Sequence, residues 1–168
     1  MSGNIWAAVG ILGFVTLQRL IELRLADSNS RKLLAAGAHE YGAGHYPFIV
    51  ALHMVWLAAL WWWGPGRTIS VALLILFALL QLGRVWVIRS LGDRWTTRII
   101  VIPGARLIRS GPYRWLNHPN YLIVTLEIAV LPLVFGLWRI AAVFSLLNAI
   151  ILTIRIQTEN EALRSLRG

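Results

Sequence analysis

Five apolar stretches divide this sequence, at about 5–25, 46–63, 69–90, 120–136 and 138–157. Each is close to the ~17–25 residues that an α-helix needs to cross a bilayer. Only 14% of the residues are charged and 58% are hydrophobic, whereas soluble domains carry about 25% charged residues. The pattern predicts an all-α integral membrane protein of about five transmembrane helices, forming one domain over residues 1–168. Cysteine is absent, which excludes a thiolate nucleophile and a cysteine-based metal site.

Basic residues are unevenly distributed among the segments that connect these stretches. Cytoplasmic loops of membrane proteins carry an excess of Lys and Arg. With the N-terminus outside and the C-terminus cytoplasmic, the outer turns hold only Arg67 and Arg139. We therefore expect this orientation in the inner (cytoplasmic) membrane, and we attribute the net charge of +9 to topology and lipid headgroups rather than to nucleic acid. The inner segments hold Arg24, Arg31, Lys32, Arg89, Arg94, Arg98, Arg106, Arg109, Arg114, Arg155, Arg164 and Arg167.

Two predicted inner loops, about 26–45 and 91–119, are long enough to contribute to a site. In the second, residues 98–102 are β-prone and Pro103-Gly104 favours a tight turn. Because residues 105–109 could return as a second strand, we expect a short β-hairpin before the fourth helix. In the first loop His39, Glu40 and His45 match no standard ligand spacing, so we predict no metal site.

Ionisable residues within the apolar stretches indicate polar structure inside the membrane. Such groups cost about several kcal/mol in a bilayer and usually face a partner or a cavity. Counting along the helices places Arg19, Arg84 and Glu127 within ~10 Å of the inner ends, and Glu22 lies nearby in sequence. We expect the four to line a polar cavity that opens to the cytoplasm. The alternative is that they only hold helices together, with Glu127 bonded to Asn148 or paired with Arg84.

The last two apolar stretches are joined only by a turn near 136–139, which predicts a tight antiparallel helix pair. The start of the fourth helix and the end of the fifth then converge at the inner membrane surface. Arg155 and Glu159 are four residues apart and share a helical face. With His118 and Tyr121 they are expected to line one pocket. The simpler alternatives are an ion pair between Arg155 and Glu159 at the helix end, and a role for His118 as a helix cap or a core histidine.

Two segments that contain these pocket residues resemble the motifs of a known family. His118-Pro119-Asn120-Tyr121 resembles the core motif R-H-P-x-Y of the isoprenylcysteine carboxyl methyltransferase family, and residues 155–159 resemble its acidic motif near the C-terminus. The similarity extends to the lead-in loop at 102–113 and to residues 40–47. Asn117 departs from the family pattern, which usually has Arg there, and Asn160 stands where a second Glu is common.

The resemblance implies a helical membrane enzyme that transfers a methyl group from S-adenosylmethionine. The expected acceptor is a lipophilic small molecule or lipid, methylated on a carboxylate or on a hydroxyl or enol oxygen at the cytoplasmic face; membrane lipids are the other expected partners. Alternatives are a nicotinamide-dependent membrane reductase, a non-enzymatic subunit or transporter, and a lipid-binding accessory protein. The implied catalytic residues are Arg155 and Glu159, and the implied cofactor-binding residues are Tyr113, His118, Pro119, Tyr121 and Glu159.

Overall fold

The computed structural model describes residues 2–106 and 108–164, and within them five α-helices dominate. Arg167, counted above among the inner basic residues, lies outside the described residues, as does Leu107 of the expected second strand. The helices are α1 (Ser2–Ala35), α2 (Tyr46–Trp63), α3 (Val71–Leu91), α4 (Pro119–Val134) and α5 (Trp138–Arg164).

The helices confirm an all-α, multi-pass membrane protein. Four candidate spans, which contain most of α1 and all of α2, α3 and α5, are long and apolar enough to cross a bilayer. Helix α4 is apolar but has only 16 residues. An apolar core joins the helices, and its largest members include Leu12, Trp56, Phe77, Leu131 and Phe135.

Proline residues set both ends of α4. Pro119 begins the helix, where its missing N–H removes no hydrogen bond. Pro132 lies in the last turn, and the Gly136 and Leu137 N–H groups bond back to the Leu133 and Pro132 carbonyls at 3.0 Å. Gly136 has a φ of 68°, a conformation that glycine adopts without steric cost. The chain therefore reverses within a few residues into α5, as the short turn predicts.

Helix α1 is longer than the sequence predicts, because it continues through the polar residues 26–35. Asn29 is buried and donates to the Trp95 carbonyl at 2.9 Å, and Ser30 bonds back to the Ala26 carbonyl at 2.7 Å. Contacts with the second inner loop thus extend a helix that apolar content alone would end near residue 25. The first inner loop shrinks to residues 36–45.

A two-stranded antiparallel sheet joins the two inner loops. Strand β1 (His39–Tyr41) pairs with β2 (Ile99–Val101), and Glu40 lies opposite Ile100. The β-prone run and the turn at Gly104 are both present, but the expected hairpin partner is wrong. Residues 105, 106, 108 and 109 form no strand; the Arg106 carbonyl instead accepts a hydrogen bond from Arg94 Nη1 at 2.8 Å.

Candidate active site

A cavity of about 670 Å³ lies at the end of the bundle where α3 and α5 end and α4 begins. Its volume falls in the ~300–1,000 Å³ range of small-molecule sites. The second inner loop, the start of α4 and the end of α5 form its walls. Tyr113, His118, Tyr121, Arg155 and Glu159, all singled out from the sequence, line it. Pro119 is buried as the first residue of α4 and is absent from these walls.

Tyr121 is the centre of this group. Its hydroxyl accepts a hydrogen bond from Arg155 Nε at 2.8 Å and donates one to Glu159 Oε2. Its ring stacks on the His118 imidazole, with centroids 5.3 Å apart and planes inclined by 14°. His118 Nδ1 lies 3.7 Å from Glu159 Oε2. The structure therefore brings together His118, Tyr121, Arg155 and Glu159, as the antiparallel pairing of α4 and α5 predicts.

The structure contains neither a direct ion pair between Arg155 and Glu159 nor a capping hydrogen bond from His118 within the described residues. Arg155 and Glu159 meet through the Tyr121 hydroxyl rather than as a direct ion pair. His118 occupies the N-cap position of α4 but makes no side-chain capping hydrogen bond to the described chain. Arg155, Glu159 and His118 therefore all present their functional groups to the cavity.

Arg155 carries a buried positive charge whose hydrogen-bond partners are neutral. The residue is 7% exposed, and its Nη2 donates to the Thr97 carbonyl at 2.6 Å. Arg84, the other buried arginine of the described chain, pairs with Glu22 and Glu127. Within residues 2–106 and 108–164, no carboxylate forms such an ion pair with Arg155. Glu159 reaches this guanidinium only through the Tyr121 hydroxyl. A buried charge without a direct ion-pair partner is costly, so Arg155 is suited to binding an anion.

Further arginines make the cavity wall strongly cationic. Glu159 is the single acidic residue on the described wall. Clustered positive charge in a concave site raises the local concentration of anions. The wall arginines are Arg94, Arg98, Arg106, Arg109, Arg114, Arg155 and Arg164.

Tyr113 reaches the cavity from a short 3-10 helix at residues 111–114. Burial, with a further contribution from the Glu159 carboxylate, raises the pKa of its hydroxyl above the usual value. The hydroxyl is therefore available to a ligand as a hydrogen-bond donor. Gly111 allows this placement because it has a φ of 56° and lies against Ser90, where a Cβ would clash with the serine hydroxyl.

The ionisable residues inside the membrane form a separate cluster. Arg84 donates to both Glu22 oxygens at 2.6 Å and to Glu127 Oε2 at 2.9 Å. Arg19 donates to Glu127 Oε2 at 2.6 Å and to Glu22 Oε2 at 3.2 Å. This cluster of Arg19, Glu22, Arg84 and Glu127 is absent from the walls of the cavity. The four connect α1, α3 and α4, and Glu127 pairs with Arg84, as in the alternative interpretation of the sequence. That they line a substrate cavity stays a prediction.

Sequence reasoning missed the contribution of the first inner loop and of Tyr46, which begins α2. Tyr46 Oη lies 3.0 Å from Thr97 Oγ1, and Arg98 Nη1 donates to both Glu40 oxygens at 3.1 and 3.2 Å. Thr97 in turn contacts Arg155 through its carbonyl, a backbone group that leaves no trace in side-chain patterns. The signal available was the family resemblance of residues 40–47. Among the described residues, no group of three or more His, Asp and Glu side chains is arranged to hold a metal ion.

Comparison with known proteins decides the family. The sequence profile of the isoprenylcysteine carboxyl methyltransferase (ICMT) family matches residues 72–165. The chain belongs to this family. The matched segment contains nearly all of α3 and the whole of α4 and α5. With them it contains Tyr113, His118, Tyr121, Arg155 and Glu159 of the cavity wall.

Two relatives extend the similarity beyond the part matched by the ICMT profile. An uncharacterized protein of Bacillus subtilis, YpbQ, is 36% identical over 172 residues, which cover 95% of this chain and 96% of the relative. An uncharacterized protein of Haemophilus influenzae is 27% identical over 157 residues, covering 88% of this chain and 90% of the relative. No solved structure matches the chain. As an ICMT-family member with multiple apolar helices, the protein is a membrane methyltransferase.

Proposed function

We propose that the protein transfers a methyl group from S-adenosylmethionine to an oxygen of a lipophilic acceptor at the cytoplasmic membrane face. The observation that carries the proposal is the junction at Tyr121, which holds Arg155 and Glu159 together on the wall of one cavity. The excess of basic residues at this end of the bundle supports the cytoplasmic assignment, and a bacterial inner membrane is the location we propose.

The wall offers groups that complement each charged part of S-adenosylmethionine. The Glu159 carboxylate suits the ammonium group, and the arginines suit the carboxylate. The stacked rings of His118 and Tyr121 offer aromatic faces, which attract cations such as a sulfonium. Asn120 also lines the cavity, and its Oδ1 lacks a hydrogen-bond partner in the described part of the chain. We accordingly assign Tyr113, His118, Tyr121 and Glu159 to cofactor binding. Pro119 fixes the start of α4, which carries Tyr121 and directly follows His118.

When bound, the cofactor supplies an electrophilic methyl group, whose transfer to the acceptor oxygen leaves the C–S bonding electrons on sulfur. Arg155 is placed to hold the acceptor's anionic oxygen, because its guanidinium forms no direct ion pair with a carboxylate of the described residues. A carboxylate acceptor is ionised at neutral pH and needs no base. A hydroxyl or enol acceptor must lose a proton, and Glu159 or His118 on the cavity wall would receive it. Alignment of the reacting atoms supplies much of the rate in such displacements.

The cavity wall is also suited to a lipophilic acceptor. Apolar side chains from α1, α3, β2 and α5 line it beside the arginines. A molecule with an apolar tail and an oxyanion head would therefore find both environments in one cavity. The apolar lining residues include Leu33, Leu91, Ile99, Ile102, Ile108 and Leu163.

Calorimetry on the detergent-purified protein tests the cofactor assignment. We expect S-adenosylmethionine and its demethylated product to bind, and NADPH to give no heat. Glu159→Gln and His118→Ala are each expected to weaken binding at least about tenfold, the loss of one charge-assisted or aromatic contact. Glu161→Gln is the matched control, because Glu161 is exposed on the same helix.

The outcomes separate the alternatives. Absence of binding at millimolar S-adenosylmethionine would overturn the proposal, and binding of NADPH instead would favour a reductase. Normal affinity in both variants would overturn the residue assignments. Mass spectrometry of lipid extracts from cells with and without the gene then identifies the acceptor, as a product heavier by one methylene group.

A further inference from the structure

We infer that Tyr46, the first residue of α2, acts through Thr97 as a positioning residue for Arg155, so that the first inner loop and the start of α2 complete the site. The inference rests on the proposed function for the role of Arg155. It goes beyond the family match, because Tyr46 and its neighbour Glu40 lie outside residues 72–165. We name the group Glu40, Tyr46, Thr97 and Arg98 the Tyr46 brace.

Two hydrogen bonds fix the plane of the Arg155 guanidinium. Nε donates to the Tyr121 hydroxyl at 2.8 Å, and Nη2 donates to the Thr97 carbonyl at 2.6 Å. A guanidinium is planar and rigid, so two donors on different nitrogens determine where the remaining N–H groups point. If Thr97 moves, Arg155 retains only its hydrogen bond to Tyr121, and its guanidinium can rotate about that bond.

Thr97 is itself held from its other side by Tyr46. The Tyr46 and Thr97 hydroxyl oxygens lie 3.0 Å apart, within hydrogen-bond distance. Thr97 has no regular backbone ladder to fix it, because β2 begins at Ile99. The Tyr46 hydroxyl therefore supplies a restraint on the loop position that the sheet does not.

Tyr46 is in turn immobilised by its surroundings. The Arg98 guanidinium lies 4.8 Å from the centroid of the tyrosine ring, a cation–π distance. Arg98 also donates to both carboxylate oxygens of Glu40, which is only 18% exposed at its side chain. Since Glu40 belongs to β1 and Arg98 directly precedes β2, the ion pair locks the two loops together beside the sheet.

Contact with α5 gives independent support for this arrangement. Gly42 follows β1 and packs against the Thr158 side chain, where a Cβ at position 42 would come within 2.9 Å of Thr158 Cγ2. Thr158 is three residues from Arg155, hence on the adjacent turn of the same face. The first inner loop therefore touches α5 at the point from which Arg155 projects.

Kinetics of Tyr46→Phe tests the brace, because this change removes the hydroxyl and keeps the ring under Arg98. We expect kcat to fall about tenfold, since small displacements of a positioning group cost up to ~10²-fold in rate. The Kd for S-adenosylmethionine should stay within about twofold, because Tyr46 is absent from the cavity wall. In the Arg155→Lys background, Tyr46→Phe should cause no further loss. Multiplicative losses would overturn the inference.

Thr16→Val is the matched control for loss of a hydroxyl contact. Thr16 Oγ1 accepts a hydrogen bond from Trp61 Nε1 at 3.0 Å, near the end of α2 remote from the cavity. We expect this variant to keep wild-type kcat. An equal loss of kcat in Thr16→Val and Tyr46→Phe would show that general stability explains both, and the inference would fail.

A spectroscopic arm tests the brace without any ligand. In the ¹⁵N-labelled protein, the Arg155 Nε–H signal is assigned by its loss in Arg155→Lys. We expect Tyr46→Phe to shift this signal and Thr16→Val to leave it in place. An unmoved signal overturns the brace while leaving methyl transfer intact. A shifted signal in a protein that binds no S-adenosylmethionine supports the brace and refutes the proposed function.

Discussion

Arg84 and Glu22 meet as a two-pronged ion pair between α3 and α1, with both nitrogen–oxygen distances at 2.6 Å. Glu127 from α4 and Arg19 from α1 complete the cluster with two positive and two negative charges. Each charge is costly in a bilayer. The four charges therefore stabilise the protein only together, and we expect removal of any one of them to lower its stability.

Glu127→Gln is expected to destabilise the protein strongly. The change leaves Arg19 and Arg84 with one carboxylate between them, and breaking a buried pair typically costs about 3–5 kcal/mol. Unfolding in detergent measures the loss. Asp27→Asn is the control, because its ion pair with Arg31 is exposed and such pairs contribute little. Similar losses in both variants would contradict the structural role of the cluster.

Gly42→Ala is expected to displace the first inner loop from α5. Gly42 has a φ of 63° and packs against His45 and Thr158. Left-handed backbone at a non-glycine residue costs about 1–3 kcal/mol, and the new methyl group adds a clash. Gly44→Ala is the control, since a Cβ there meets nothing within 4 Å. Unfolding temperatures of the two variants should differ clearly, and equal values would argue against close packing at Gly42.

The raised pKa of Tyr113 predicts a loss of stability at high pH. Unfolded tyrosine loses its proton near pH ~10, whereas burial keeps folded Tyr113 protonated to higher pH. Its contribution to stability is thus fully present below the unfolded pKa and is lost as pH rises towards the folded one. Tyr113→Phe should lessen the decline in unfolding free energy above pH ~10. An unchanged decline, or tyrosinate absorbance from Tyr113 at its ordinary pKa, would refute the burial argument.

Two arginine–tryptophan stacks at opposite ends of the bundle are expected to differ in lipid preference. Arg114 lies 5.6 Å from the Trp115 ring and Arg139 lies 5.3 Å from the Trp138 ring. Arg114 is accompanied by Arg106 and Arg109 on the cavity wall. A basic residue near an anionic surface contributes about 1 kcal/mol. In nanodiscs of mixed phosphatidylglycerol and phosphatidylcholine, Arg114→Gln should reduce enrichment of the anionic lipid.

Arg139→Gln provides the comparison, because this arginine stands at the end with few basic residues. It should leave the enrichment unchanged. Equal effects of the two substitutions would mean that clustering of charge does not determine the preference.

Much of the fold can be predicted from apolar length alone. Helix α2 has the predicted bounds, Tyr46–Trp63, because apolar residues fill it and Gly64 and Pro65 follow. The end of α1 differs because the bond from Asn29 to the Trp95 carbonyl is a long-range contact with no local signature. The partner of β2 was mispredicted for the same reason. A nearby turn favours a local hairpin, whereas β1 comes from some sixty residues earlier.

The site was predictable where helical geometry controls it. A short turn between α4 and α5 dictates that Tyr121 meets Arg155, and the helical period places Glu159 beside them. The role of the Thr97 carbonyl could not be predicted from the sequence. Every residue has a carbonyl group, and only the fold determines which one accepts the hydrogen bond from Arg155. The four intramembrane charges were correctly identified as exceptional, but pattern alone did not distinguish mutual pairing from cavity lining.

The length of α4 has a consequence for how a substrate arrives. Sixteen residues rise about 24 Å, which is less than the ~30 Å thickness of the hydrocarbon layer. If the outer end of α4 is level with the outer ends of its neighbours, the inner end of α4 lies within the hydrocarbon layer. The cavity wall at His118 and Tyr121 is then at the depth of the lipid tails and opens to water on the inner side. The lipophilic acceptor that we propose would then reach the cavity by lateral diffusion within the leaflet, without leaving the membrane.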